Sequence, residues 1–350
     1  MPKTILFLPI WGKLNETIPQ QQMAALRKRG FEARYGLPGG YFPLFRSARA
    51  LSPELISLDW IHQYCLAPGL AASLVKTILF VLDILLLKTF FRSKLVWTIH
   101  NLQHHDPRPR GLERWISRFF AGRCDKIRIL GRGMESTICE YLGVEAGKLE
   151  VIPEGPYIGW YPEGQAQEDA RKELKISPEK RVWLYLGTIR PYKGVENLID
   201  AFLKRPDPGL ELWIAGNPWN AAYTESLKKR AEAHPNIHIH DQAVPDEKLQ
   251  TYFGAADLVV LPFKNVLNSG SALLAMGFSK AVVAPKIGLI PFRLSAQAEL
   301  LFNEDRSLED VLAYTQTLDR AELRTLGERN RTEALKYTWD DFARFIENRV

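Results

Sequence analysis

The chain has 350 residues, enough for about two domains of ordinary size. Hydrophobic residues make up 46% and charged residues 25%, with no repeat or low-complexity tract, which excludes a fibrous, solenoid or disordered protein. The net charge of +6 is uneven: residues 1–150 hold 21 Lys and Arg against 12 Asp and Glu, a balance of +9, and the remainder carries −3. A basic half points to phosphate, on nucleic acid or on an anionic membrane face. No pattern of a nucleic-acid module is present, so no nucleic-acid partner is expected. Cys65, Cys124 and Cys139 fall in no CxxC or CxxH spacing, which excludes a zinc module and fits a reducing compartment.

Thr4–Leu8 reads as a buried strand. The opening apolar run, broken by Pro9, is too short for a signal peptide, so a cytoplasmic protein is expected. The loop Pro9–Asn15 follows the strand's C-terminal end, where open α/β sheets bind ligands. Gly12, Lys13 and Asn15 are therefore cleft candidates, and no GxGxxG fingerprint is present. Gln20–Gly30 reads as a helix stopped by glycine. Leu58–His62 reads as a strand-like segment, its single histidine structural. Ala71–Phe91 is the most apolar stretch. Lys76 and Asp83, seven apart, fall nearly on one helical face, which predicts a largely buried helix with a narrow polar stripe. Asp83 would lie at mid-span, which argues against crossing a membrane. The apolar side can instead lie on one, with Arg92, Lys94, Arg108, Arg110, Arg114 and Arg118 near the headgroups.

Leu95–Ile99 is the next strand, followed by a loop holding three of the seven histidines, His100, His104 and His105, with Asp106. The spacing does not match a zinc helix. A loop of this kind beyond a strand end can place a base in the cleft, so His100, His104 and Asp106 are the catalytic candidates. After the strand Lys126–Leu130, Gly131 and Gly133 flank Arg132, a second phosphate or acceptor candidate. Pro153, Gly155 and Pro156 punctuate the end of this half.

The second half opens with a charged helix, Glu168–Leu174, and an apolar strand, Val182–Leu186. Gly187 ends the strand, Arg190 and Lys193 follow, Gly194 closes the loop, and Val195–Phe202 begins a helix. A basic, glycine-flanked loop leading into a helix N-terminus suits a phosphate; a solvated surface turn has the same spacing. Leu210–Gly216 repeats the strand-then-glycine plan, and Asn236–His240 alternates like an exposed strand with structural histidines. Leu258–Pro262 is a further strand. Asn268, Ser269, Gly270 and Ser271 then stand at a helix start, where a serine can cap and backbone N–H groups can meet an anion.

Gly187, Arg190, Lys193-Gly194 and Leu198-Ile199-Asp200-Ala201-Phe202 together resemble the opening of the C-terminal domain in GT-B glycosyltransferases, notably the large family 4 group. The resemblance implies an α/β GT-B fold: two Rossmann-like domains with a cleft between them and a C-terminal helix crossing back. On this chain it implies an acceptor-side domain over 1–155, a nucleotide-sugar domain over 156–336 and a returning helix over 337–350. In that family the matching Arg190 and Lys193 grip the donor's diphosphate, the turns at Gly187 and Gly216 lie near the nucleotide, and the turn holding Gln242 and Val244 reads the base. That turn often contains glycine and here does not. Trp97-Thr98-Ile99-His100-Asn101 with Asp106 resembles bacterial GT-B enzymes of exopolysaccharide and lipid-linked sugar synthesis. In those the loop faces the acceptor.

One departure is sharp. The two glutamates spaced E-x7-E, which hold donor sugar and ribose in family 4, are replaced by Val266 and Leu274. Asn268-Ser269-Gly270 with Leu274-Ala275 is similar instead to a frame in bacterial β-sugar transferases that invert the anomeric centre. The resemblance thus implies transfer from a UDP- or GDP-type nucleotide sugar to a glycan or polyprenyl-linked acceptor. It further implies inversion, no metal and no cofactor, on the cytoplasmic membrane face. A retaining transferase, an epimerase on the same fold and a non-catalytic relative that binds a nucleotide sugar or recruits a partner enzyme remain the alternatives.

Overall fold

The computed structural model describes residues 2–9, 17–104, 108–205 and 207–350. The chain divides into two compact units, Met1–Gly155 with Tyr337–Val350, and Pro156–Lys336.

The first unit is built on a six-stranded parallel sheet of β1 (Thr4–Leu8), β2 (Glu32–Tyr35), β3 (Leu55–Leu58), β4 (Lys94–Ile99), β5 (Lys126–Ile129) and β6 (Leu149–Val151). Their spatial order is β2-β1-β3-β4-β5-β6. The inner strands are near-continuous apolar runs, as helices on both faces require, and Ile5, Leu6, Leu55, Ile56, Leu95 and Val96 are fully buried. Strand order steps outward from β1 to β2, then reverses through β3. Such a switch point opens a crevice beyond the C-terminal ends of β1 and β3.

The last helix, Trp339–Glu347, belongs to this unit. Thr338 and Asp341 form a capping box at its start. Its face of Phe342, Ala343, Phe345 and Ile346 completes a core with Phe7, Met23, Leu26 and Val96. Arg29 holds it from outside through Asp340 at 2.7 Å and Glu347. Inside, the fully buried Arg128 donates to the carbonyls of Ile152 (2.8 Å) and Pro153 (3.1 Å) and lies 4.7 Å over the Phe342 ring. At Gly155 an added Cβ would come within 2.7 Å of the Trp339 backbone nitrogen, so the crossing point admits no side chain.

The second unit repeats the plan with β7 (Arg181–Leu186), β8 (Leu210–Ala215), β9 (Ile237–His240), β10 (Leu258–Val260), β11 (Ala281–Pro285) and β12 (Leu301–Phe302). The order β12-β11-β10-β7-β8-β9 puts its switch point between β7 and β10. β9 is the edge strand. His238 packs 4.7 Å from the Trp213 ring and 3.4 Å from Glu211, and His240 meets the Tyr252 hydroxyl, so both are structural.

Two sequence expectations change. The strand read over Leu58–His62 lies earlier, at Leu55–Leu58, and His62 opens a helical turn, His62–Cys65. The reason is that Asp59 and Trp60 stand beyond the sheet's pairing, which ends at Leu58↔Trp97. The apolar helix, Leu70–Phe90, is not largely buried: only 33% of its most apolar window is covered. Leu70, Leu74, Val75, Ile78, Leu82, Leu85 and Phe90 are exposed, between 42% and 66% each. Its polar stripe is the inward one. Asp83 is fully buried and accepts the backbone N–H groups of Leu44 (2.9 Å) and Phe45 (2.8 Å), the first turn of helix Pro43–Leu51. Lys76 donates to the Gln63 and Leu66 carbonyls.

Candidate active site

In the second unit three loops converge beyond the C-terminal ends of β7, β8 and β10. Gly187, after β7, donates its N–H to the Ala215 carbonyl (3.0 Å), and Gly216 donates to the His240 carbonyl (3.0 Å). A Cβ at Gly216 would stand 1.8 Å from the Gly187 carbonyl oxygen, so these two turns touch backbone to backbone. Ile189 donates its N–H to the Asn217 carbonyl (2.8 Å) and accepts the Trp219 N–H on its own carbonyl (3.0 Å), which ties the basic loop to the β8 turn. Gly194, at φ +70°, lies against the Pro262 carbonyl, which a Cβ would approach to 2.0 Å. The basic loop is therefore held between the ends of β8 and β10, and the helix Val195–Leu203 starts directly from it.

The two cations sit among rings. Lys193 Nζ lies 4.2 Å from the Phe263 centroid and 5.3 Å from that of Tyr192. Arg190 stands 5.9 Å from the Trp219 ring and 6.0 Å from Tyr192. Among the described residues no carboxylate pairs with Lys193. Burial, and then the neighbouring Arg190 charge, push its ammonium down to about 8. The adjacent Lys264 is engaged elsewhere, on Glu196 at 2.6 Å.

Ser269 caps the helix Gly270–Gly277, its hydroxyl accepting the Ala272 N–H at 3.1 Å. That leaves the Gly270 and Ser271 N–H groups at the helix start. Ser271 Oγ lies 3.2 Å from where a Gly187 Cβ would be, so the Ser-Gly-Ser turn faces the Gly187 loop. Asn268 is half-buried beside it. Of the two positions where the family has glutamates, Val266 is buried and Leu274 half-buried, and Gly288 packs on the carbonyls of Val266 and its neighbour Leu267. Gln242 is exposed and Val244 half-buried in the turn after β9, next to His240.

In the first unit the ends of β3 and β4 bring together residues that local pattern reading missed. His100 is stacked on Trp60, ring centroids 4.0 Å apart. Its Nε2 lies 3.4 Å from Asp59 Oδ1 and its Nδ1 3.9 Å from Glu154 Oε1. All three are buried, at 6%, 5% and 1% exposure. Beside them His62 Nε2 lies 3.4 Å from the fully buried Glu113, which also accepts the His104 backbone N–H and pairs with Arg110 at 3.1 Å. His104 and His62 meet edge to face. The signal that could have found Asp59 is its place one residue past a strand end next to β4; Glu154 and Glu113 come from distant segments. Arg132 is exposed in the turn after β5. Gly12, Lys13, Asn15, His105 and Asp106 lie outside the described residues.

Two parallel sheets of this order, each with loops gathered at its switch point, are the architecture of GT-B glycosyltransferases. Sucrose-phosphate synthase from Thermosynechococcus elongatus superposes with a TM-score of 0.76 at 17% identity, covering 99% of this chain and 98% of that one. Anabaena Alr3699/HepE, solved with UDP-glucose, gives 0.70 at 17% identity over 99% of both chains. Residues 166–292, which contain all three converging loops, match the model of glycosyl transferases group 1. The chain is 29% identical over 255 residues to a GDP-mannose:glycolipid 4-beta-D-mannosyltransferase of Xanthomonas campestris pv. campestris, covering 71% of this chain and 67% of that one. It is 26% identical over 213 residues to a D-inositol 3-phosphate glycosyltransferase of Segniliparus rotundus, a match spanning 46% of that protein. The group 1 match covers residues 166–292; with these relatives it marks the chain as a glycosyltransferase that acts on a nucleotide sugar.

Proposed function

We propose that this glycosyltransferase moves a hexose from a GDP- or UDP-type sugar onto a lipid-linked glycan at an anionic membrane surface, with inversion and without a metal ion. The observation that carries the acceptor class is the open apolar face of Leu70–Phe90. Exposed apolar patches of this extent mark interaction surfaces. Basic residues flank it: Lys88 and Arg92 at its end, and Arg114 and Arg118 on the contacting helix Arg110–Arg123, whose Trp115 is 52% exposed. An apolar strip, an exposed tryptophan and surrounding arginines suit the boundary between acyl chains and anionic headgroups. The Xanthomonas relative acts, by its name, on a glycolipid and uses GDP-mannose; the Anabaena neighbour was solved with UDP-glucose.

The chemistry follows from charge. The leaving nucleoside diphosphate carries the largest developing negative charge. Lys193, Arg190 and the Gly270 and Ser271 N–H groups are the donors that stabilise it, in the role a metal ion would otherwise take. Gln242 and Val244 border the base, and Gly187 and Gly216 let the nucleotide approach backbone. His100 takes the proton of the attacking hydroxyl, and Asp59 and Glu154 stabilise the imidazolium that forms. Asp106 and His104 are further candidates for this proton; Gly12, Lys13, Asn15 and Arg132 are candidates for the acceptor. The burial of Val266 where family 4 has a glutamate supports a different hold on the sugar, and with it inversion.

The test is a transfer assay with GDP-mannose, UDP-glucose and their close analogues, a polyprenyl-diphosphate-linked sugar as acceptor, and NMR of the product anomer. Vesicle-dependent turnover with an inverted anomer is expected. Equal turnover on a free sugar without vesicles, or retention, would overturn the acceptor or stereochemical reading respectively.

A further inference from the structure

We propose that the second unit carries a separate binding site for a phosphorylated sugar, at the opposite edge of its sheet from the donor loops. A cavity of about 530 Å³ opens there, walled by Lys280, Arg320, Arg324 and Arg331 with Glu163 and Asp257. Asp257 and Lys280 immediately precede β10 and β11, so the cavity lies at the strands' N-terminal ends. The Gly187, Gly216 and Pro262 loops lie at the other ends.

The charges do not cancel. Glu163 is taken by Arg331 at 2.9 Å. Asp257 is taken by Arg171 at 2.7 Å, with Arg320 at 3.4 Å. Among the described residues, neither Lys280 nor Arg324 has a carboxylate within ion-pair distance. The Lys280 ammonium has one backbone partner, the Ala256 carbonyl at 2.9 Å, and burial pushes it down to about 8. The four cations of the lining, against its two carboxylates, leave a surplus of two positive charges, not counting Arg171 behind Asp257. A phosphate monoester, at about −1.5 to −2 near neutrality, is its complement.

The walls are already set. Arg320 donates to the Pro178 and Lys180 carbonyls, at 2.9 and 2.7 Å, and Arg331 to that of Gly277. Guanidinium groups fixed in this way bind an oxyanion with little further loss of side-chain freedom. Size and lining narrow the class. The volume is that of a small-molecule pocket, larger than phosphate alone fills. Gln250 and Ser279 offer hydrogen bonds for hydroxyl groups. The lining aromatic, Phe278, already has one ring face stacked on Phe253, at 4.5 Å and 12°. A phosphate group for the cations and hydroxyl groups for Gln250 and Ser279 make a sugar phosphate the fitting class. The helix Gly270–Gly277 runs from the donor edge to this cavity, a length of about 12 Å, and its far end is locked where Gly327 meets the Ser279 carbonyl.

Calorimetric titration of the full chain with glucose 6-phosphate, inorganic phosphate and glucose tests the site. The Lys193→Ala variant serves as a background in which the donor loop cannot hold an anion. Saturable binding of glucose 6-phosphate is expected in both backgrounds, with glucose inert and inorganic phosphate weaker. Arg324→Ala, an exposed position whose loss leaves the fold intact, should weaken binding about tenfold, as should Lys280→Met. Absence of saturable binding would overturn the site. So would binding that disappears in Lys193→Ala and is unmoved by Arg324→Ala. Inorganic phosphate binding as tightly as glucose 6-phosphate would overturn the sugar. None of these outcomes depends on which donor or acceptor the transferase uses.

Discussion

At the scale of single residues, Lys193 is the most informative side chain. A cation that burial and Arg190 both push toward neutrality is costly to keep charged unless an anion arrives. Its titration near 8 has a signed consequence. Below that pH the ammonium is present and donor capture is intact; as pH rises through about 8 the charge is lost. The free-enzyme profile of kcat/KM for donor should therefore fall on its alkaline side from about pH 8. Lys193→Arg, which stays charged, should remove that limb, and Lys193→Ala should cost about 10- to 100-fold in kcat/KM at neutral pH. A flat alkaline limb in the native enzyme would remove Lys193 from donor binding. His100 makes a different demand. If it handles the acceptor proton with Asp59 behind it, Asp59→Asn should lower kcat by about 10²- to 10⁴-fold. Nucleoside diphosphate affinity, read by calorimetry, should stay unchanged. Parallel loss of both would make Asp59 a packing residue.

At the scale of elements, the helix Leu70–Phe90 shows what a sequence conceals. Its apolar residues surround the axis, so periodicity alone does not tell a buried helix from one that faces a membrane. The deciding feature is long-range: Asp83 points inward to cap another helix, which turns Leu74, Ile78, Leu82 and Leu85 outward. Two predictions separate these faces. Leu74→Glu with Ile78→Glu should abolish co-sedimentation with anionic vesicles while the melting temperature holds, because both positions are already open to water. Asp83→Leu should do the reverse. It strands two buried N–H groups and should cost about 2–4 kcal/mol in stability, measured by denaturant melts. The basic loop proposed to hold the donor was legible as a structural unit for the opposite reason. Strand, glycine, two cations, glycine and helix all fall within one short span, Val182–Phe202, so local pattern sufficed. The Asp59–His100–Glu154 cluster was only a third legible. Its members lie far apart in sequence, and the apolar run before Asp59 does not mark where the strand ends.

At the scale of the whole molecule, the chain's path makes the two units unequal. Pro156–Lys336 is one continuous segment with its own sheet. The first unit is interrupted: its core is completed only when Tyr337–Val350 returns after the second has been made. Without Trp339–Glu347, the face of Phe7, Met23 and Leu26 would lie open, and the buried guanidinium of Arg128 would lose the ring beneath it. An uncovered apolar face and an exposed, half-satisfied arginine are a prescription for aggregation. A fragment of residues 156–336 should thus fold alone, melt cooperatively and bind nucleoside diphosphate, since Arg190, Lys193 and the Ser269–Ser271 turn all belong to it. A fragment of residues 1–155 should be insoluble or molten. Supplying residues 337–350 through a short linker to residue 155 should restore a cooperative melt and near-ultraviolet circular dichroism. If residues 1–155 instead fold unaided, the returning helix is an ornament on a finished core. If the 156–336 fragment folds but binds no nucleotide, the donor loops need more than their own unit to hold the diphosphate.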